Sequence, residues 1–149
     1  MRSLSYDTRQ EYAVLMRSGS NPEFHVAYRK QGDTLHFQVT GDIDSQAIRI
    51  AYWQEIVAIT KREGLRKLLV VDRKKHKPAS PEELAQLAAM MQIHSSIADR
   101  IAVVEPTAKF VPAMEHAEIE GRELGINVRI FNRNEDAERW LMYGSADEA

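Results

Sequence analysis

Apolar and polar residues alternate in two short segments near the start of the chain. The first segment covers 24–29 and the second covers 35–39, with Gln31-Gly32-Asp33 between them. A period of two is typical of strands with one buried face, and a short link that contains glycine predicts a hairpin. His25 and His36 fall on its polar face, where we expect half-exposed strand residues; the alternative is a pH-sensitive pair in which the two lie opposite each other.

The period changes to that of a helix after Gly41. Asp44 or Ser45 is placed to cap a helix that runs to about Glu63, with Gly64 beyond its end. One apolar stripe of this helix is formed by Ile48, Ala51, Tyr52, Ile56 and Ile59. A second set lies on nearly the opposite side and consists of Ile50, Trp53 and Val57.

A helix that is apolar on two sides must be covered twice. The sheet supplies one cover for this helix. The other is either the N-terminal arm, through 12–16, or a second subunit. In a dimer, Ile50, Trp53 and Val57 would form the interface, with Trp53 as its aromatic anchor.

Two uninterrupted apolar runs, at 68–71 and 101–104, predict strands that are buried on both faces and therefore lie at the centre of a parallel sheet. Asp72 and Glu105 end these runs. The carboxyl edge of such a sheet is where ligands usually bind, so the two acids are a candidate general acid and base. Acids are common at strand ends, and we expect no catalytic residues here.

The rest of the chain alternates helix and strand. Ser80-Pro81-Glu82-Glu83 is a capping box that opens a helix. A third helix follows over 110–124 with Pro112 in its first turn, then a strand over 126–131 and a final helix from Asn134.

The predicted order is therefore β-β-α-β-α-β-α-β-α, an α/β fold with a mostly parallel or mixed sheet of about five strands. We assign 1–21 to an N-terminal arm that is helical from Asp7, 22–143 to a single domain, and 144–149 to a frayed tail.

The composition argues against several kinds of site and partner. The chain has 149 residues, a formal net charge of -2 and no cysteine. It therefore has no disulfide, thiolate metal site or cysteine nucleophile, and its charge argues against nucleic acid as a partner. The five scattered histidines predict no metal site, and we expect no cofactor. No apolar run reaches the roughly 20 residues of a membrane span, so we expect a cytoplasmic protein.

Four segments carry a family resemblance: LLVVD at 68–72, DRIAVV at 99–104, GINVRIF at 125–131 and AERWL at 137–141. They resemble the STAS superfamily (sulfate-transporter and anti-sigma-factor-antagonist domains, also called SpoIIAA-like), and especially a branch of small bacterial proteins within it. The resemblance covers about 24–142 and implies the same order of strands and helices. It also implies a serine phosphoacceptor at Ser80, although Ala79 and Pro81 depart from the Asp-Ser-Ser-Gly type of motif that antagonists carry.

A basic segment precedes Ser80. Arg73, Lys74, Lys75 and Lys77 follow the strand that ends at Asp72, at the ligand-favoured edge. Together with the N–H groups at the start of the next helix, these cations would bind a phosphate or carboxylate. The alternative is a solvated loop whose lysines keep the protein in solution.

The resemblance implies a non-enzymatic regulatory module that acts by binding a protein partner or by self-association. The alternative is a carrier or sensor of a lipid or small anion, because the fold resemblance extends to lipid-binding SEC-fourteen-like (SEC14-like) domains. In that case Met90, Met91 and Met114 would line an adaptable apolar cavity. Their other interpretation is ordinary core packing.

Overall fold

The computed structural model describes residues 23–41, 45–73 and 79–144. The predictions made for the N-terminal arm, for Asp44, for Lys74, Lys75 and Lys77, and for 145–149 lie outside these residues. The described elements are β1 (His25–Gln31), β2 (Thr34–Thr40), α1 (Gln46–Glu63), β3 (Lys67–Asp72), α2 (Pro81–Gln92), β4 (Arg100–Val104), α3 (Val111–Glu123), β5 (Val128–Phe131) and α4 (Asn134–Tyr143), with short 3-10 turns at Ser95–Ile97 and Ala108–Phe110.

The five strands form one sheet in the order β1-β2-β3-β4-β5. β1 and β2 are antiparallel, and every other neighbouring pair is parallel. The predicted α/β class, the mixed sheet and the order of the elements are thus confirmed. Because β2 to β5 are parallel, they all end at the same edge of the sheet, which we call the carboxyl edge.

Both faces of the central strands are covered, as the uninterrupted apolar runs predicted. Leu68 and Val70 of β3 point into the core beneath α1, α2 and α3. Leu69 and Val71 point to the other face, where they pack with Trp140 and Leu141 of α4. Helix α4 therefore crosses back under β3 and β4 instead of joining the other three helices.

Helix α1 begins and ends where the sequence predicted. The Ser45 side chain accepts a hydrogen bond from the backbone N–H of Ile48, and Gly64 ends the helix in the left-handed region with φ of 77°. That conformation is strained for residues with a Cβ, which is why glycine follows the last turn.

The predicted division of α1 into two opposed apolar sides was wrong for two of its residues. Trp53 and Val57 are buried in the same core as Tyr52 and Ile56, and Ile50 is the one partly exposed residue of the second set. Trp53 retains 7% of its surface and faces α2 of its own chain. Helix α2 is thus a further cover for this side of α1, in addition to the N-terminal arm and the second subunit that the sequence suggested. Self-association through Ile50, Trp53 and Val57 stays a prediction.

Candidate ligand cavity

A partly open cavity of about 100 Å³ lies between the sheet and helices α1, α2 and α3. It is lined by side chains of all three helices and of strands β3, β4 and β5. These are Arg49, Tyr52, Trp53, Val70, Asp72, Ala79, Leu84, Leu87, Ala88, Met91, Ile101, Val103, Phe110, Ala113, Met114, Ala117, Gly121, Ile126, Val128 and Ile130.

The charged groups of this lining lie at one end. Asp72 is the last residue of β3, and Arg49 and Tyr52 lie in the first two turns of α1, so all three lie at the carboxyl edge. The Tyr52 hydroxyl donates a hydrogen bond to Asp72 Oδ2 over 3.1 Å. The rest of the lining is almost entirely apolar, which gives the cavity an amphiphilic shape.

Small residues on α3 create much of the space. Ala113, Ala117 and Gly121 are spaced four residues apart, so they share the face that α3 turns to the cavity. At Gly121 the helix approaches β5 so closely that an added Cβ would lie 2.8 Å from Val128 Cγ1. The close contact between helix and strand therefore favours glycine there, and Gly121 is the last residue of α3 in the lining.

The three methionines pack in or against the core, and two of them also line the cavity, as the carrier interpretation required. Met91 and Met114 line the cavity, whereas Met90 packs against the core without lining it. Methionine has a flexible, polarisable side chain that adapts to irregular volumes. Two of the three methionines can therefore adjust to an occupant.

Polar contacts join the first turns of α1 and α2 at the carboxyl edge. Gln46 Nε2 donates to the backbone carbonyl of Glu83 (2.8 Å) and to Gln86 Oε1 (3.2 Å). Arg49 Nη1 donates to Gln46 Oε1 (3.0 Å) and lies 3.7 Å from Glu83 Oε1. These contacts hold the two helices together beside the polar end of the cavity.

The predicted capping box is present. Ser80 Oγ accepts from the backbone N–H of Glu83, and Glu83 Oε1 accepts from the backbone N–H of Ser80. The Ser80 hydroxyl thus caps the N-terminus of α2. Arg73 donates from Nε to Gln38 Oε1 over 3.0 Å. Since Lys74, Lys75 and Lys77 are not described, the anion site and the phosphoacceptor both stay predictions.

Asp72 and Glu105 end neighbouring strands, because Val71 pairs with Val104. Their surroundings differ. Asp72 lines the cavity, whereas Glu105 does not, although it is only 2% exposed; its Oε2 accepts from the backbone N–H of Thr107 over 3.0 Å. The structure therefore does not bring the candidate acid and base together in the cavity.

The prediction for the two histidines was wrong. His25 pairs with Thr40, and His36 pairs with Arg29 and is only 3% exposed. Arg29 Nη2 lies 3.1 Å from His36 Nδ1, and because a guanidinium only donates, Nδ1 accepts and the neutral ring carries its proton on Nε2. Burial, together with the charge of Arg29, lowers the pKa of His36 from 6.5 to about 4.

Among the described residues, no group of three or more His, Asp or Glu side chains is placed to hold a metal ion. No helix in the described part of the chain has the length and apolar character needed to cross a membrane. No family model and no curated protein matches the chain. The STAS resemblance accordingly stays a prediction.

Sequence reasoning missed Arg49, and it placed Tyr52 only in the core stripe of α1, although both line the cavity. The available signal was the polar character of Arg49 close to a predicted core stripe, and the four-residue spacing of Ala113, Ala117 and Gly121. Both are weak signals alone, because snorkelling arginines and small residues at helix contacts are common in closed cores.

Proposed function

We propose that the protein is a non-enzymatic binding module that carries or senses a small molecule with an apolar body and a polar end. The observation that supports this is the cavity beneath α1, α2 and α3, whose charged residues, Arg49 and Asp72, lie at one end of an otherwise apolar lining. The predicted similarity to SEC14-like carriers is in agreement with this proposal.

Unfilled apolar space favours an occupant. The lining of this partly open cavity consists mostly of apolar side chains, and an occupant would cover them. Larger side chains at Ala88, Ala113 or Ala117 would fill it. A protein that keeps small residues there gains from a molecule that occupies the space, because the occupant restores the missing contacts.

We propose binding rather than catalysis because of how the polar groups are arranged. The Asp72 carboxylate accepts from Tyr52, and Arg49 is engaged by Gln46 and Glu83. Glu105, the other candidate acid, lies outside the lining. These groups orient the polar end of a ligand by hydrogen bonding.

The positions of the two tryptophans provide the test. Trp53 lines the cavity, whereas Trp140 belongs to α4 and packs against the opposite face of the sheet. Bromobenzene, whose heavy atom quenches indole fluorescence, is titrated into the Trp140→Phe variant, which keeps only Trp53, and into the Trp53→Phe variant, which keeps only Trp140.

We expect saturable quenching of Trp53 and only weak, linear quenching of Trp140. Ala117→Leu, which narrows the cavity partway along its length, should weaken the saturable part. Equal quenching of the two tryptophans, or no saturable quenching at all, would contradict a ligand cavity. Native mass spectrometry of the freshly purified protein then identifies any molecule that it retains.

The STAS resemblance also supports a second proposal, a cytoplasmic regulatory module that binds a protein partner or itself. The observation in its favour is the exposure of Ile93, directly after α2, and of Ile119 on the neighbouring helix α3. Light scattering on the wild type and on Ile119→Glu tests the self-association. A wild type that is monomeric at all concentrations excludes the homodimer.

A further inference from the structure

The cavity is elongated along the strands. Its lining on α3 begins near Phe110 and ends at Gly121, eleven residues later, which corresponds to roughly 16 Å along a helix axis. Helices α2 and α3 both run from the carboxyl edge to the opposite edge, because each returns the chain to the start of the next parallel strand. A volume of about 100 Å³ is small for such a length, so the cavity is narrow.

The two ends of the cavity differ chemically. Arg49 and Asp72 lie at the carboxyl edge, together with the Tyr52 hydroxyl. The other end is apolar, where Met91 and Ile126 line it and Gly121 meets Val128. An occupant with one polar and one apolar end is therefore oriented in a single direction.

We infer that the ligand is an amphiphile with a single unbranched alkyl chain. Its polar head lies beside Arg49 and Asp72, and its terminal methyl group lies against Gly121 and Ile126. This inference rests on the proposed function and adds the shape and direction of the ligand. A narrow apolar channel between parallel helices admits one chain, whereas a fused-ring molecule needs more width.

The first experiment uses a series of straight-chain primary alcohols from butanol to dodecanol, titrated into the Trp140→Phe variant with Trp53 fluorescence as the readout. The head group is constant and uncharged, so differences in affinity report on the chain. We expect binding to tighten about fourfold for each added methylene until the chain reaches the Gly121 end, and then to stop tightening.

The second experiment changes the chain length at which binding stops tightening, which we call the break in the series. Met91→Ala and the milder Ile126→Val enlarge the apolar end and should shift the break in the series to a longer alcohol. Ala117→Leu blocks the channel midway and should shift it to a shorter one. Met90→Ala, which truncates a methionine that packs against the core without lining the cavity, is the matched control that should leave the break in place. Circular dichroism confirms that each variant is folded.

The results distinguish a failure of the alkyl-chain inference from a failure of the proposed function. If bromobenzene quenches Trp53 saturably but affinity for the alcohols does not depend on chain length, or the break ignores Met91→Ala and Ile126→Val alike, the alkyl-chain inference is wrong and the proposed function stands. If neither bromobenzene nor any alcohol binds, the proposed function is wrong as well.

Discussion

The hydroxyl group of Tyr52 donates a hydrogen bond to the carboxylate of Asp72 across 3.1 Å, and both side chains are buried. Tyr52 belongs to the second turn of α1, and Asp72 is the last residue of β3. One polar contact therefore ties the start of the first helix to the carboxyl edge of the sheet. It also fixes the polar end of the cavity.

Replacing Tyr52 by Phe should destabilise the protein by about 1–3 kcal/mol, since a buried carboxylate loses a donor. Urea denaturation of the two proteins measures the difference. Tyr143→Phe is the control, because that side chain is 75% exposed and should change stability by less than about 0.5 kcal/mol. A Tyr52→Phe variant as stable as the wild type would show that the contact contributes nothing.

Much of the fold was predictable because local signals agreed with one another. The Ser80 capping box, the Gly64 cap and the apolar runs at 68–71 and 101–104 each carry a physical requirement that sequence alone displays. The placement of α4 on the second face follows from the same runs, since a strand buried on both sides needs two covers. Alternation, caps and turns were sufficient for the order of the elements.

The cavity was less predictable because it depends on distances between elements. The methionines indicated an adaptable space, yet periodicity cannot separate Met91, which lines it, from Met90, which does not. The environment of His36 was missed for a related reason. Its register against Arg29 follows from the two-residue turn at Gly32-Asp33, and its burial depends on what covers that face of the sheet.

His36 should make stability depend on pH. Its folded pKa, about 4, lies below its unfolded value of 6.5, so the unfolded chain binds the proton first as the pH falls. The stabilisation is complete above about pH 6.5 and decreases toward pH 4 by up to about 1.4 kcal/mol per pH unit.

The measurement compares denaturation of the wild type and of His36→Gln across this window, because carboxylates titrate in both proteins and cancel in the difference. We expect the variant to lose less stability between about pH 6.5 and pH 4.5. Parallel curves for the two proteins would mean that His36 protonates as readily in the folded state as in the unfolded state.

Arg100 closes the end of α4. Its Nη1 donates to the backbone carbonyls of Trp140 (3.3 Å) and Leu141 (3.0 Å), and its guanidinium lies 5.9 Å from the centre of the Trp140 ring. Arg100→Met keeps the apolar stem but removes the donors, so we expect a loss of about 1–3 kcal/mol in thermal or urea denaturation.

Arg139→Met is the matched control for Arg100→Met. Its side chain is 70% exposed and its ion pair with Asp136 joins residues of the same helix, so the expected change is below about 0.5 kcal/mol. Equal effects of the two substitutions would indicate that Arg100 acts only through net charge.

Glu118 protects one edge of the sheet. Strand β5 is the last of the five, and the backbone N–H of Ile130 donates to Glu118 Oε1 of α3 over 2.8 Å. An edge strand with free N–H groups can pair with another chain, and a carboxylate that accepts from it prevents that pairing.

Glu118→Ala should therefore speed amide hydrogen exchange at Ile130 by about tenfold, if the bond contributes the usual 1.4 kcal/mol or so of local stability. Glu118→Gln retains a side-chain oxygen acceptor and should keep most of the protection, whereas Glu115→Ala, on an exposed part of the same helix, should leave the exchange rate unchanged. Unaltered exchange at Ile130 in Glu118→Ala would mean that the rigidity of β5, rather than the side-chain bond, protects this edge.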